Sequence, residues 1–185
     1  DAMESRGLGD VYKRQENLQG KTLLELGTGS GAISISIAQE NKDCFIFATD
    51  ISIKSILVAK QNAAKFCCEN IIFLNHDWNN EWLFPQVDYL ISNPPYVDKE
   101  ATSGKEEGIW HEPEIALFSK DKGLSDLKLI LSKGKKFLNE SGKVYLEHAP
   151  DQYEELNKFA MENGYLNFSN LNDLNGDKRV SIYQC

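Results

Sequence analysis

One stretch decides the fold of this chain: Thr22-Leu23-Leu24-Glu25-Leu26, followed directly by Gly27-Thr28-Gly29-Ser30-Gly31. Its first half predicts a buried strand, and residues 32–38 after the glycines open a helix. Strand, glycine turn and helix in this order are the first unit of a doubly wound α/β sheet. Glycines let the backbone turn tightly beside a ligand, and the helix start adds N–H donors. We therefore predict that residues 27–31 bind a nucleotide-type cofactor: Gly27, Thr28, Gly29, Ser30 and Gly31.

A second predicted strand, residues 44–49, ends at Asp50. A carboxylate after the second strand of such a sheet is placed to accept hydrogen bonds from both hydroxyls of a ribose. The alternative is that Asp50 caps the next helix, since Asp is common before helices. The glycine turn and Asp50 alone also fit a nicotinamide-dependent dehydrogenase.

A third strand, residues 71–74, is followed by Asn75-His76-Asp77-Trp78. An aromatic side chain after a sheet strand can pack on an adenine ring. Asp77 could then accept a hydrogen bond from the adenine amino group. The alternative is that Trp78 fills the core.

The apolar residues 87–92 predict another buried strand, which stops at Asn93-Pro94-Pro95-Tyr96. The two prolines fix two φ angles and remove two backbone donors. What remains is a rigid corner with two acceptors, the Asn93 side-chain oxygen and the Pro94 carbonyl, beside the flat face of Tyr96. Such a corner could bind a planar group that carries an NH2, although a plain strand-ending turn has the same pattern.

The rest of the chain predicts further elements of the same fold. Residues 124–138 have helical spacing, with Lys133, Lys135 and Lys136 on a solvated face near the helix end. Residues 143–147 predict a strand, and residues 153–161 predict a helix that stops at Asn163-Gly164. Two strands near residues 166–168 and 179–183, with polar residues 170–177 between them, predict an edge hairpin.

Composition limits the class of protein. The chain has 185 residues, 41% of them hydrophobic, and a formal net charge of −8. That size suits one domain, and the acidic balance argues against a broad nucleic-acid surface. No apolar run predicts a membrane span, and scattered Cys and His residues predict no metal site. The four cysteines favour a reducing compartment, so we expect a cytoplasmic protein.

The head of the chain differs from the rest. Residues 1–20 show neither apolar periodicity nor a strand pattern, and residues 10–15 resemble the translated end of an adapter used in sequencing libraries. We expect residues 1–20 to be a non-native or disordered leader and residues 21–185 to form the single folded domain.

These motifs together resemble the class I S-adenosylmethionine-dependent methyltransferases: the glycine turn resembles their cofactor loop, Asp50 their ribose acid, and residues 93–96 their signature for planar NH2 substrates. Four later segments resemble one subfamily, the peptide chain release factor glutamine methyltransferases. These segments are His111-Glu112-Pro113 with Ala116-Leu117, then Lys122-Gly123-Leu124, then Leu146-Glu147-His148 with Gln152, and finally Asp173, Gly176 and Arg179-Val180. His111, Lys122 and Ala149 depart from the usual residues of that subfamily.

The resemblance implies a Rossmann-like fold, a seven-stranded mostly parallel sheet with an antiparallel edge strand and helices on both faces. It implies S-adenosylmethionine as cofactor, held by the glycine turn, Asp50, Asp77, Trp78 and Asn93. It implies that Asn93, Pro94 and Tyr96 are catalytic and that residues 93–96, Pro95 included, bind a release-factor glutamine. We expect no direct nucleic-acid or membrane partner, and the oligomeric state stays open.

Two further interpretations remain open. A methyltransferase acting on adenine or guanine amino groups shares the early motifs, and a non-enzymatic cofactor-binding domain fits as well. The polar residues 97–121, anchored by Trp110, Glu112 and Pro113, are expected to recognise the substrate.

Overall fold

The computed structural model of the chain describes residues 17–98, 118–173 and 176–185. Within these ranges the chain forms nine strands and four α-helices. The strands are β1 (Thr22–Leu26), β2 (Phe45–Asp50), β3 (Ile71–Asn75), β4 (Val87–Ser92), β5 (Val97–Asp98), β6 (Phe118–Ser119), β7 (Leu138–Glu147), β8 (Asn167–Asn172) and β9 (Lys178–Gln184). The helices are α1 (Ala32–Glu40), α2 (Ile53–Lys65), α3 (Ser125–Gly134) and α4 (Tyr153–Glu162).

Seven strands form one sheet in the order β3-β2-β1-β4-β7-β9-β8. Strands β1, β2, β3, β4 and β7 pair in parallel, whereas β9 runs antiparallel to both β7 and β8. The predicted fold class is confirmed: the sheet is mostly parallel and ends in an antiparallel edge pair. Strands β5 and β6 pair separately, in parallel.

Consecutive residues of β1 face opposite sides of the sheet, as the pleat requires. Leu23 packs in one core cluster with side chains of α1 and α2, such as Ile37 and Ile56. Leu24 packs in a second cluster with side chains of α3 and α4, such as Leu127 and Leu156. Both faces of the sheet are therefore covered, which is why β1 and β4 are apolar along nearly their whole length.

The order of the strands reverses between β1 and β4. From β1 the chain moves outward through β2 and β3, and β4 then lies on the other side of β1. In open α/β sheets the ligand site lies at this switch point, beyond the carboxyl ends of the strands. Leu26 pairs with Ser92, so the residues that follow these two strands emerge side by side.

The predicted helix over residues 124–138 is wrong at its end. Helix α3 stops at Gly134, a 3₁₀ turn covers Lys135–Phe137, and Leu138 already begins β7. The predicted strand 143–147 is therefore only the second half of β7. Leu138 pairs with Val87, and the register is then irregular until Lys143 pairs with Tyr89.

The predicted edge hairpin is confirmed, but its first strand is longer than predicted. Strand β8 runs to Asn172, so part of the polar stretch 170–177 belongs to the strand and not to the turn.

The predicted leader overlaps the described residues only at residues 17–20. Leu18 is buried in the first core cluster, and the backbone N–H of Gly20 donates to Asp43 O at 3.1 Å. Residues 1–16 lie outside the described residues.

In the described ranges, none of the helices combines the length and the apolar character that crossing a membrane requires. The same ranges contain no group of three or more His, Cys, Asp or Glu side chains that could hold a metal ion. All four cysteines are free thiols, and burial raises the pKa of Cys44 and of Cys68.

Candidate active site

The glycine turn that follows β1 leaves room at its centre and is tightly packed at its start. At Gly29, no described atom lies within 4 Å of the position that a Cβ would take, so the space above the turn is open. Gly27 has φ +75, and a Cβ there would lie 3.2 Å from the ring of Trp78. A side chain at Gly27 would be strained and would also push Trp78 away.

The buried carboxylate of Glu25, in β1, stabilises this turn. Glu25 is 2% exposed and accepts hydrogen bonds from the hydroxyls of Thr28, at 2.7 Å, and of Ser34. Burial raises the pKa of Glu25, and the hydroxyl donors oppose that rise only in part. Glu25 therefore ties the glycine turn, through Thr28, to helix α1, through Ser34, a role that its place in the motif did not reveal.

Asp50 ends β2 and reaches the glycine turn. Its Oδ2 accepts a hydrogen bond from the backbone N–H of Gly29 at 2.9 Å, and its Oδ1 accepts one from Ser52 N–H at 2.8 Å. A carboxylate has about four acceptor positions, so each oxygen can still accept another donor. Ser52, and not Asp50, is the residue that caps α2, since its side chain accepts from Ser55 N–H.

The segment after β3 forms the next wall of the site. The Trp78 ring is half-buried, packs on the second core cluster and lies against Gly27. Its indole N–H donates to Asp126 Oδ1 at 3.1 Å. Asp77 Oδ1 accepts from the backbone and side chain of Asn79, which leaves Oδ2 without a hydrogen bond from the described residues.

A lysine from α3 fastens this segment. Lys133 Nζ donates to the carbonyl oxygens of residues 78, 79 and 80 at 2.9, 2.8 and 2.9 Å. Lys133 therefore fastens this segment to α3, a role that the prediction of a solvated face did not include. Lys135 behaves similarly, since its Nζ donates to the carbonyls of Asn163 and Gly164.

The corner formed by residues 93–96 lies directly beside the glycine turn. A Cβ on Gly27 would lie 3.9 Å from the Asn93 carbonyl oxygen. Pro94 and Pro95 are buried, whereas Asn93 and Tyr96 are half-buried. The Asn93 carboxamide makes no hydrogen bond to another described residue, so its oxygen remains an available acceptor.

The main chain of this corner is held from behind. Gln152 Nε2 donates to the carbonyl of Tyr96 at 2.9 Å and to that of Lys122 at 3.0 Å. Gln152 Oε1 accepts from Ala149 N–H at 2.9 Å. Gly123 has φ +81, and a Cβ there would lie 2.0 Å from the Tyr96 carbonyl oxygen. Only glycine lets the two loops approach this closely.

The sequence from residue 11 to residue 112 matches the methyltransferase small domain family. The match covers more than half of the chain and includes the glycine turn, Asp50, Trp78 and the corner at residues 93–96. This chain belongs to the methyltransferase small domain family.

Two curated relatives carry the resemblance further. The chain is 37% identical over 179 residues to a bifunctional methyltransferase from Rickettsia bellii, covering 96% of this chain and 32% of that protein. It is 33% identical over 165 residues to the release factor glutamine methyltransferase from Aliivibrio fischeri, covering 89% of this chain and 58% of that protein. The chain thus spans about a third to three fifths of the length of these relatives.

Solved structures agree on the fold of this methyltransferase small domain. A methyltransferase from Pyrococcus furiosus superposes with a TM-score of 0.72 at 18% sequence identity, covering 97% of this chain and 82% of that one. A ribosomal protein L11 methylase from Lactobacillus delbrueckii superposes with a TM-score of 0.71 at 17% identity, covering 98% and 78%.

The structure brings most of the predicted site residues of this methyltransferase small domain to one edge of the sheet. Gly27 meets both Trp78 and Asn93, and Gly29 meets Asp50. Thr28 and Ser30 lie in the same turn, and Thr28 faces inward to Glu25. The predicted anchors Trp110, Glu112 and Pro113 lie outside the described residues, as does His111.

One exposed side chain at this edge was not singled out in the sequence. Ile51 follows Asp50 directly and is 45% exposed. Its aliphatic side chain therefore presents apolar surface to solvent beside Asp50. Only its position directly after Asp50 could have pointed to it in the sequence.

Proposed function

We propose that this chain transfers a methyl group from S-adenosylmethionine to the side-chain amide nitrogen of a glutamine in a peptide chain release factor. The observation that carries the proposal is that the glycine turn and the corner at residues 93–96 lie side by side, at the switch point of the sheet. The named activity of the Aliivibrio fischeri relative supports this substrate. A release factor acts in the cytoplasm, so the proposal also places this chain there.

The residues at the switch point fit S-adenosylmethionine. The open space above Gly29 suits a ligand, and the backbone of residues 27–31 can approach it closely. Asp50 would accept the ribose hydroxyls, while Asp77 Oδ2 would accept the adenine amino group. Trp78 and Ile51 would pack against the adenine ring, and Asn93 would border the reacting end. When bound, the cofactor supplies an electrophilic methyl group on a sulfonium sulfur.

The corner at residues 93–96 would select and aim the acceptor nitrogen. An amide nitrogen is a poor nucleophile because its lone pair is delocalised into the carbonyl. The Asn93 side-chain oxygen and the Pro94 carbonyl would accept hydrogen bonds from its two N–H groups, and the Tyr96 ring would fix the plane of the amide. Both acceptors favour the positive charge that develops on nitrogen during transfer.

In this proposal, positioning supplies the main part of the rate enhancement. It can lower the activation barrier by at most about 7–11 kcal/mol. The two buried prolines keep the acceptors in place before the substrate arrives, so little reorganisation is left for the reaction itself. The new N–C bond would form as the S–C bond breaks, with S-adenosylhomocysteine as the leaving group. No dedicated general base is assigned, so the extra proton on nitrogen would pass to water after the transfer.

The substrate class is tested by offering the chain a release factor, free glutamine and an adenine-containing oligonucleotide, each with S-adenosylmethionine. We expect methylation of the release factor at a glutamine side chain, located by peptide mass spectrometry. Methylation of the oligonucleotide instead would establish the nucleic-acid alternative. Binding of NAD but not of S-adenosylhomocysteine, measured by calorimetry, would establish the dehydrogenase alternative.

The role of Asn93 is tested by Asn93→Ala. We expect turnover to fall by about 100-fold or more, since one of two preorganised acceptors is lost. The dissociation constant for S-adenosylhomocysteine should change much less. Asn172→Ala, in exposed strand β8, serves as a control for the same substitution away from the corner. Equal losses of turnover and of cofactor affinity in Asn93→Ala would refute the assignment.

A further inference from the structure

Three segments that the proposed function leaves without a role meet at Tyr96. They contribute Glu147 at the end of β7, Gln152 in the turn before α4, and Arg179 in β9. Gln152 donates a hydrogen bond to the Tyr96 carbonyl. Glu147 and Arg179 contact the other end of the same residue, its hydroxyl.

The Tyr96 hydroxyl lies between a cation and a carboxylate. Arg179 donates to the Tyr96 oxygen at 3.0 Å, and the hydroxyl donates to Glu147 Oε1 at 3.3 Å. A guanidinium can only donate and a carboxylate can only accept, so the direction of both hydrogen bonds is fixed. A phenol has one proton, and in this hydrogen bond the Tyr96 hydroxyl donates it to Glu147.

The two partners of the hydroxyl are held on adjacent strands and not on loops. Glu147 is 4% exposed and pairs through its backbone with Val180, the neighbour of Arg179 in β9. The Arg179 guanidinium also lies 5.5 Å from the centre of the Tyr96 ring. Tyr96 is therefore fixed at its carbonyl by Gln152 and at its hydroxyl by the sheet.

With its carbonyl and its hydroxyl both held, the plane of the Tyr96 ring is fixed, and a group that stacks on a face of this ring takes its orientation from it. We propose that Glu147 and Arg179 are positioning residues, which act through the Tyr96 hydroxyl to set the plane of its ring. A planar NH2-bearing group that stacks on this face then has its nitrogen aimed by Tyr96, and neither Glu147 nor Arg179 touches it. This inference rests on the proposed function, since it deepens the role given there to Tyr96.

The kinetic test uses Glu147→Gln, Tyr96→Phe and the double variant. Glu147→Gln should lower kcat by about 10- to 100-fold, because small misplacements at a reacting centre cost up to about 100-fold. The KM for S-adenosylmethionine should stay within about twofold. Arg179→Gln should behave in the same way, and Arg179→Lys, which keeps a donor and the charge, should recover part of kcat.

The double variant separates positioning through Tyr96 from a general structural effect. Phenylalanine has no hydroxyl for Glu147 to hold, so Glu147→Gln should have little further effect on kcat in the Tyr96→Phe background. If the kcat losses of Glu147→Gln and Tyr96→Phe instead multiply in the double variant, the proposal is overturned. Glu140→Gln and Lys178→Gln make the same charge changes on the same two strands and should leave kcat unchanged.

A second readout does not depend on turnover. In the full chain with ring-labelled tyrosine, Tyr96→Phe assigns the NMR signal of Tyr96 among the seven tyrosines. Glu147→Gln and Arg179→Gln should shift or broaden this signal and leave those of distant tyrosines in place. If wild type methylates no substrate, the proposed function fails, while a changed Tyr96 signal still supports the positioning. An unchanged signal would overturn the positioning whatever the activity.

Discussion

His148, next to Glu147, is a fully buried histidine whose two ring nitrogens both have partners. Nδ1 lies 2.8 Å from the Ala149 carbonyl, and Nε2 lies 2.8 Å from the Ser181 hydroxyl. A carbonyl only accepts, so Nδ1 carries the proton and Nε2 accepts from Ser181. Burial lowers the pKa of His148, and the nearby positive charge of Arg179 lowers it further, against the opposing effect of the Ala149 carbonyl.

This environment predicts a pH dependence of stability. The folded-state pKa of His148 lies below its unfolded value near 6.5, so the unfolded state binds the proton first as pH falls. The contribution to stability is complete above that value and is lost as pH falls through the folded pKa. The loss is about 1.4 kcal/mol for each tenfold difference in proton affinity between the two states.

The comparison that isolates His148 is with His148→Gln, which does not titrate. Between about pH 7 and about pH 5 we expect wild type to lose more free energy of unfolding in urea than the variant. Glu25, whose raised pKa acts in the opposite direction, and His76, whose pKa burial also lowers, are present in both proteins and cancel. Parallel pH profiles would show that His148 does not contribute.

Gly123 offers a second prediction at a single residue. Gly123→Ala combines a strained left-handed backbone, costing about 1–2 kcal/mol, with a Cβ that would lie 2.0 Å from the Tyr96 carbonyl and 2.5 Å from Gln152 Nε2. We expect a larger loss of unfolding free energy than strain alone gives, and a loss of turnover because Tyr96 moves.

The matched control for Gly123→Ala is Gly20→Ala. Gly20 has φ +67, and no described atom lies within 4 Å of the position of its Cβ. Gly20→Ala therefore introduces the same kind of backbone strain as Gly123→Ala but no steric clash of the new Cβ. Chemical denaturation of the two variants measures the difference, and equal losses would mean that the approach of Tyr96 to Gly123 is not tight.

At the scale of elements, the end of α3 fixes the loop that follows β3. Lys133→Met removes three hydrogen bonds to the carbonyls of residues 78–80 while keeping most of the side-chain volume. We expect a loss of about 1–2 kcal/mol in stability, since these bonds are partly exposed to water. We also expect a several-fold weaker affinity for S-adenosylhomocysteine, measured by calorimetry, because Trp78 loses its support.

Lys136→Met is the control, since Lys136 is exposed and lies in the 3₁₀ turn just after α3. It should change neither stability nor affinity appreciably. A Lys133→Met protein that is less stable but binds the cofactor product normally would show that the loop after β3 is not part of the binding site.

The elements that the sequence predicted well are those whose pattern is local. Strand β1, the glycine turn and α1 follow one another within about twenty residues, and each has its own apolar or glycine signal. The start of β7 and the end of β8 were misjudged because their residues are polar. Leu138 pairs with Val87 of β4 ahead of an irregularity that spans residues 139–142, and Asn170 to Asn172 pair with β9. Tertiary pairing overrides β propensity here.

At the scale of the whole molecule, the topology explains which part of the site the sequence could reveal. Parallel strands bring their carboxyl ends to one edge, so residues that end strands could be expected to meet, and Gly27 and Asn93 do. The support of Tyr96 could not be expected. Glu147, Gln152 and Arg179 are distant from it in sequence, and the pairing of β7 with β9 alone brings two of them together.

The net charge of the whole chain gives a last prediction, which separates the two substrates that the corner at residues 93–96 could take. A protein that reads nucleic acid gains most of its affinity by neutralising phosphates, and this chain carries a formal charge of −8. We therefore expect no measurable binding of a single-stranded oligonucleotide at about 150 mM salt by fluorescence anisotropy.

The same experiment at lower salt is the decisive one. If a local basic surface contacts nucleic acid, the logarithm of the association constant should fall with the logarithm of salt concentration by about 0.7 for each phosphate contacted. A slope of about −3 or steeper, together with methylation of the oligonucleotide, would establish the nucleic-acid substrate over the release factor. If the pocket instead binds a neutral amide, we expect the oligonucleotide to bind weakly and its association constant to depend little on salt concentration. The release factor should then be the substrate that is methylated.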